Sequence, residues 1–301
     1  MSDADDGTVS WRELWAETTQ RLDHAGVGQS SLEARWIIEE ASGMEGPELV
    51  PGLDEPATVR GVAHLDAMVG RRVAGEPIQY VLGHWAFRHL DLLVDRRVLI
   101  PRPETEQVVE VALAVFDEVR ARRPDRHRLT VADLGTGSGA IALAIATERT
   151  GCRVWGTDRS ADALAVARAN LAGLGMAASG VQLVEGSWFD ALPGDLRGGL
   201  DLIISNPPYI AADETLDASV TDWEPLEALV PGPTGLEDYQ QIVAGAAAWL
   251  APGGALVLEI GHTQAAAVRP ILEAHGLTGI TVHPDLAGLD RAIVGHHRQV
   301  G

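Results

Sequence analysis

The sequence predicts an α/β protein: a mostly parallel sheet with an antiparallel edge, preceded by a small helical domain and a β-hairpin linker. Three observations predict it. From Pro103 onward, short apolar runs alternate with helical stretches, the pattern of strands buried on both faces. A glycine-rich loop, Gly135-Thr-Gly-Ser-Gly139, follows the first of these strands and opens a helix. Before residue 76 three stretches carry helical apolar periodicity and none carries a strand pattern. The expected boundaries are 1–75 for the helical domain, 76–102 for the linker and 103–301 for the α/β domain.

Residues 1 to about 8 are acidic and read as disordered, and without an apolar core they are no signal peptide. Trp11, Leu14, Trp15, Thr18 and Leu22 fall at helical spacing. A second helix fits Ser31 to Ser42, with Leu32, Trp36, Ile37 and Ala41 on one face and Gly43 as its stop. A loop over 44–56 leads to a third helix, Thr58 to Ala74. Ile78, Tyr80 and Leu82 then alternate, followed by Phe87, Leu90, Leu92 and Val94, and by Val98 and Ile100. These predict short strands with turns at Gly83 and Asp95-Arg-Arg97.

In the α/β part, Pro103 starts a helix that runs to about Arg122. Strands fit Thr130–Leu134, Arg153–Thr157, Val181–Glu185, Leu200–Ser205 and Ala255–Ile260. Helices fit Ala140–Arg149, Ala161–Leu174, Leu236–Leu250 and Thr263–His275. Ile280–His283 and Ala292–His296 supply the antiparallel edge pair. No internal repeat is present.

Composition narrows the function. In 301 residues, 23 Lys plus Arg stand against 43 Asp plus Glu, so the net charge of -20 repels nucleic acid, and direct binding to it is not expected. The basic stretch Arg120 to Arg128 reads as a solvated loop between a helix and a strand rather than a phosphate-binding patch. The single cysteine, Cys152, excludes an internal disulfide and a cysteine metal cluster. His262, His275, His283, His296 and His297 lack zinc-ligand spacing, so no metal site is expected. No apolar run is long enough to span a membrane, and a cytoplasmic location is expected.

The chemistry-bearing residues gather at strand ends. Glycines in the 135–139 loop let backbone approach a ligand closely. Asp158 ends the next strand, about twenty positions on, where a carboxylate accepts from both hydroxyls of a ribose. A dehydrogenase would share these two features. Trp188, in Gly186-Ser-Trp-Phe-Asp190, offers a flat surface to a ring or else packs in the core. Ile204-Ser-Asn-Pro-Pro-Tyr209 ends the fourth strand. Pro207 and Pro208 remove two N–H donors and stiffen the chain, which leaves carbonyls free to accept. A planar –NH₂ group needs two acceptors; the Asn206 side chain and the Pro207 carbonyl are placed to supply them. Tyr209 is placed to cover the flat group.

Asn-Pro-Pro-Tyr after such a glycine loop resembles amino-methyltransferases that act on adenine, cytosine or glutamine. Asp162 to Asn170 resembles the helix that follows the ribose-binding acid in class I methyltransferases, and Asp133 matches that family's acid at the end of the first strand. Glu76-Pro-Ile-Gln-Tyr-Val-Leu-Gly83, Leu99-Ile-Pro-Arg-Pro-Glu-Thr-Glu106 and Glu224-Pro-Leu-Glu-Ala-Leu229 look like the HemK/PrmC family of release factor N(5)-glutamine methyltransferases. Leu258-Glu-Ile-Gly261 with Gln264, and Asp285 to Arg291, match it as well. The resemblance covers nearly the whole chain and implies a class I, Rossmann-like methyltransferase. It implies S-adenosylmethionine as cofactor and the glutamine of the Gly-Gly-Gln loop in class I release factors as substrate.

By motif position, the resemblance makes Gly135, Thr136, Gly137, Ser138 and Gly139 the cofactor loop. Asp133 orients that loop or meets the cofactor's ammonium through water. Asp158 binds ribose, Trp188 flanks adenine, Thr105 sits near the methionine end, and Asn206 touches both cofactor and substrate. Asn206, Pro207, Pro208 and Tyr209 hold the glutamine amide, and the helical domain recognises the release factor. Related enzymes often carry an acid where Ser187 stands. A ribosomal-protein glutamine methyltransferase and a nucleic-acid adenine methyltransferase are the alternatives; the second should carry a basic target-recognition region.

Overall fold

A computed structural model describes residues 8–298. The disorder expected over residues 1 to about 8 lies outside the described residues, save for Thr8. The chain divides into two compact units, Met1–His84 and Trp85–Gly301.

The first unit is helical: α1 (Trp11–His24), α2 (Ser30–Ser42), α3 (Leu49–Gly52), α4 (Val59–Val73) and α5 (Ile78–Leu82). A capping box starts α1: the Glu13 N–H donates to Ser10 Oγ at 3.3 Å and the Ser10 N–H to Glu13 Oε2 at 2.8 Å. Thr58 caps α4 by accepting from the Gly61 N–H at 3.0 Å. Leu22, Ile37, Ile38, Leu65 and Val69 form the core between these helices.

Three expectations need correction here. The buried face of α2 is Glu33, Ala34, Ile37 and Ile38, and Leu32 is exposed. Arg72 on α4 pairs with Glu33 at 2.5 Å, so a charged residue belongs to the inward face. The loop over 44–56 contains a 3₁₀ turn, Gly46–Glu48, and α3. The strand predicted at Ile78, Tyr80 and Leu82 is α5. The Tyr80 and Val81 N–H groups both turn back to the Pro77 carbonyl, and Gly83 ends the turn at φ 84°. The Arg71 guanidinium then takes the Tyr80 and Val81 carbonyls at 2.7 and 3.0 Å.

In the second unit β2 (Leu90–Leu93) pairs with β1 (His84–Phe87) in the expected hairpin. Val98 and Ile100 are buried but lie in no strand. The Ile100 N–H, which a ladder would have used, donates to Glu224 Oε2 at 3.0 Å.

The sheet domain runs α6 (Pro103–Ala121), β3 (Leu129–Leu134), α7 (Ala140–Glu148), β4 (Cys152–Asp158), α8 (Ala161–Leu174), β5 (Val181–Glu185) and β6 (Leu200–Ser205). It continues with α9 (Ala218–Thr221), α10 (Glu237–Trp249), β7 (Leu250–Glu259), α11 (Ala265–Ala274), β8 (Thr278–Pro284) and β9 (Asp290–His296). Strand order is β5-β4-β3-β6-β7-β9-β8, parallel from β5 to β7, with β9 antiparallel to both its neighbours. Side chains alternate across it. Leu202 and Ile204 join the core under α6 and α7; Ile203 joins the core under α10 and α11. The strand order reverses at β3, between β4 and β6, which opens a crevice at the carboxyl edge.

The Arg120–Arg128 stretch is mostly exposed, as a solvated loop should be, but some of its arginines also reach inward. Arg123 and Arg126 both clasp the fully buried Asp201, whose other oxygen accepts from the Thr130 N–H at 2.8 Å. Arg120 donates to the Thr150 and Gly151 carbonyls. Among the described residues no helix is long and apolar enough to cross a membrane.

Candidate active site

The glycine loop leaves the carboxyl end of β3. Gly135, Gly137 and Gly139 have φ of 73°, 55° and 86°, in the region where a side chain is strained. The Gly135 and Thr136 N–H groups both donate to the Thr157 carbonyl at 2.8 Å, which locks the loop to β4. Asp133 lies beneath. Its Oδ2 accepts from Thr136 Oγ1 at 2.6 Å and from the Ala142 N–H at 3.1 Å, while its Oδ1 is buried and unpaired. Burial pushes this carboxyl up to about 7, against the pull of both hydrogen bonds. Asn170 on α8 donates to the Ser138 carbonyl at 2.9 Å and steadies the far side of the loop.

Asp158 ends β4 and accepts one backbone N–H on each oxygen, from Gly137 and from Ser160, both at 2.9 Å. Burial raises its carboxyl despite those bonds. Trp188 approaches from beyond β5. A Cβ added to Gly135 would lie 3.2 Å from the Trp188 ring, so the indole covers bare backbone. Together Gly135, Gly137, Asp158, Ser187, Trp188 and Asn206 face an open cleft of about 750 Å³.

A second cleft of about 530 Å³ is lined by Arg102, Pro207, Tyr209, Leu216 and Glu259. Asn206 and Pro208 line both clefts. The Asn-Pro-Pro-Tyr segment is therefore a wall with one chamber on each side. Asn206 Nδ2 donates to Thr105 Oγ1 at 3.2 Å, and Thr105 Oγ1 donates to Glu259 Oε2 at 2.8 Å. Tyr209 Oη donates to Glu259 Oε1 at 3.4 Å. Burial pushes the Glu259 carboxyl up to about 7; Thr105, Arg291 and Tyr209 pull it down. Burial, then Glu259, raises the Tyr209 phenol far above its ordinary value.

Backbone of the wall is held from behind. Gln264 Nε2 donates to the Tyr209 carbonyl at 2.8 Å, and Tyr239 Oη donates to Gln264 Oε1 at 3.0 Å. A Cβ on Gly235, at φ 73°, would sit 2.5 Å from that same carbonyl, so only glycine fits. Glu224 reaches under the segment before α6, pairing with Arg102 as well as the Ile100 N–H. Two of the quoted sequence motifs, far apart in the chain, meet in this contact.

Thr136 and Ser138 are buried, and Thr105 and Asp133 act from beneath rather than as cleft walls. Glu259 is the residue that sequence reasoning missed, since it figured only inside a family-like stretch. Its signal is an acid at the end of the apolar run Ala255–Ile260, at a position the sheet buries. Among the described residues no cluster of His, Cys, Asp and Glu is placed to hold a metal ion.

A reversed-order α/β sheet, a glycine loop over a buried acid, and an Asn-Pro-Pro-Tyr wall between two chambers define a methyltransferase. Residues 13–83 match the family model described as PrmC N-terminal domain, and residues 117–222 match that described as Methyltransferase small domain. A release factor glutamine methyltransferase of Cereibacter sphaeroides is 41% identical over 275 residues, 91% of this chain and 93% of that protein. One from Moorella thermoacetica is 40% identical over 294 residues, 97% of this chain and 100% of that protein. A crystal structure of a methyltransferase from Pyrococcus furiosus shares the fold at 17% identity, with a TM-score of 0.50 over 76% of this chain and 97% of that one. The chain belongs to the release factor glutamine methyltransferase family.

Proposed function

We propose that this enzyme transfers a methyl group from S-adenosylmethionine to the side-chain amide nitrogen of the glutamine in the Gly-Gly-Gln motif of class I release factors, in the cytoplasm. The observation that carries the reading is the shared wall, with Asn206 and Pro208 facing both clefts. A cofactor on one side and an amide on the other would meet there.

The residues of the first cleft fit the cofactor. Each Asp158 oxygen keeps a lone pair beyond its backbone bond, enough to accept two ribose hydroxyls. Trp188 supplies a plane for adenine, and the unpaired Asp133 Oδ1 supplies an acceptor beneath the loop. When bound, S-adenosylmethionine supplies an electrophilic sulfonium methyl.

The chain's own part is to make a poor nucleophile act. An amide lone pair is delocalised into its carbonyl. Asn206 spends its Nδ2 on Thr105, which leaves its Oδ1 to accept, and among the described residues no backbone N–H donates to the Pro207 carbonyl. Two acceptors fix both N–H bonds, favour rehybridisation, and stabilise positive charge as it develops on nitrogen. Fixed alignment supplies further rate. No strong base is required, since the methylated nitrogen is strongly acidic and gives up its extra proton to solvent. Tyr209 covers the flat group from above, and the helical unit is assigned to recognition of the release factor.

The test is methyl transfer from labelled S-adenosylmethionine to purified, unmethylated release factor, to its loop Gln→Ala mutant, to ribosomal protein and to duplex DNA. Label on the release factor alone, lost in the loop mutant, is the expected result. Label on ribosomal protein or DNA instead overturns the substrate assignment.

A further inference from the structure

Asn206 presents either its oxygen or its –NH₂ to the second cleft, and the two choices suit opposite ligands. An oxygen accepts from an amide –NH₂; an –NH₂ donates to a carboxylate. Nothing in the Asn206 side chain itself decides, because the two ends are nearly the same shape. The decision lies deeper. Thr105 has one hydroxyl hydrogen, and it goes to Glu259 Oε2 at 2.8 Å. Its oxygen is then left to accept, which it does from Asn206 Nδ2 at 3.2 Å. Glu259 is 1% exposed, so no bulk water competes for the role of acceptor at the end of this chain. In its ionised form, the state to be measured at pH 8, the Glu259 carboxylate accepts only, so the hydrogen bonds run one way, from Asn206 through Thr105 to Glu259.

We propose that Glu259 is a positioning residue that selects an amide nitrogen over a carboxylate: through the Thr105 hydroxyl it holds the Asn206 amide oxygen towards the substrate. The inference rests on the reading of the second cleft as the glutamine site. Glu259 is held in register for this task by the Tyr209 hydroxyl on its other oxygen. Replacing it with glutamine puts a donor into the pair of atoms facing Thr105 and Tyr209. When that donor meets Thr105, the hydroxyl hydrogen turns to Asn206, whose amide inverts and offers –NH₂ to the cleft. The pocket then loses an acceptor for glutamine and gains a donor for glutamate.

The experiment measures, at pH 8, Kd of the full-length enzyme for unmethylated release factor and for its loop Gln→Glu mutant. The rest of the interface is common to both, so their ratio reports the pocket. Wild-type enzyme is expected to favour the glutamine form. Glu259→Gln and Thr105→Val are expected to shrink that ratio at least about tenfold, the cost of a buried polar group left unpaired, and Thr105→Ser, which keeps the hydroxyl, to preserve it. Thermal melts check that each variant folds. Glu259→Gln with an unchanged ratio, or with both affinities lowered equally, overturns the inference while leaving the substrate reading intact. Wild-type enzyme that does not distinguish the two forms overturns both.

Discussion

Trp188 has a backbone φ of +45°; among the described residues the other non-glycine residue with a positive φ is Arg88, at +54°. Such a conformation costs on the order of 1 kcal/mol and persists where neighbours impose it. Here Phe189 is stacked on Trp249 at 5.7 Å, which anchors the chain just past the strained residue and aims the indole over Gly135. Trp188→Ala is therefore expected to weaken S-adenosylmethionine binding roughly 10- to 100-fold, as loss of base stacking does elsewhere, read by calorimetry. Unchanged affinity would place the ring outside the cofactor site. The sequence offered two readings of this residue, ligand wall or core, and geometry unites them: the ring packs on the α10 core and also lines the cleft. Asn206 was legible because two prolines strip donors from its neighbours. Glu259 was not, because an acid at a strand end looks the same in sequence whether it is solvated or sealed under a hydroxyl.

Among the elements, parallel strands and their helices were legible because each carries a long apolar run or a full helical period. Short segments were not. Ile78, Tyr80 and Leu82 alternate as a strand does, yet Pro77 and Arg71 satisfy the backbone as a single helical turn. The inward reach of Arg123 and Arg126 was not legible because their partner, Asp201, lies in β6, far along the chain. Removing that partner leaves the Arg123 guanidinium, 18% exposed, and the Thr130 N–H without their acceptor, while the more exposed Arg126 turns to water. Asp201→Ala is expected to cost about 3–5 kcal/mol of stability in urea unfolding, the scale for breaking a buried charge pair; a loss below 1 kcal/mol would contradict it. Gly235 meets the Asn-Pro-Pro-Tyr segment in another way. Gly235→Ala forces a Cβ against the Tyr209 carbonyl at positive φ, with an expected cost of about 2 kcal/mol. The accompanying rise in KM for release factor, at unchanged cofactor affinity, distinguishes displaced Tyr209 from general destabilisation.

At the scale of the whole molecule, two buried carboxylates set part of the pH dependence. Asp133 and Glu259 are both pushed up to about 7 from ordinary values of 3.8 and 4.5. The folded state thus binds their protons more tightly than the unfolded chain, so their effect is to lower stability as pH rises from about 4 to about 7. Carboxylates held down by arginine, such as Asp95 beside Arg97 and Glu148 beside Arg88, act in the opposite sense and contribute stability that is lost on acidification. Glu259 is faced by Tyr209, Arg291 and Glu104, of which only Arg291 favours its charge through space. Glu259→Gln is expected to raise Tm relative to wild type at pH 8, with the gain vanishing towards pH 5. A gain that is the same at both pH values would show that its carboxyl does not titrate in this window. A buried acceptor that costs stability at working pH is what a site device, rather than a packing device, looks like.

The most direct measurement of the central claim is fragment mass spectrometry of the release factor after turnover, with wild-type enzyme and Asn206→Ala in parallel. The account predicts one methyl on the side-chain amide nitrogen of the Gly-Gly-Gln glutamine, formed roughly 100- to 1,000-fold more slowly by the variant, the scale of losing one preorganised charge-stabilising group. A methyl on another residue, or an Asn206→Ala enzyme that works at the wild-type rate, would contradict it.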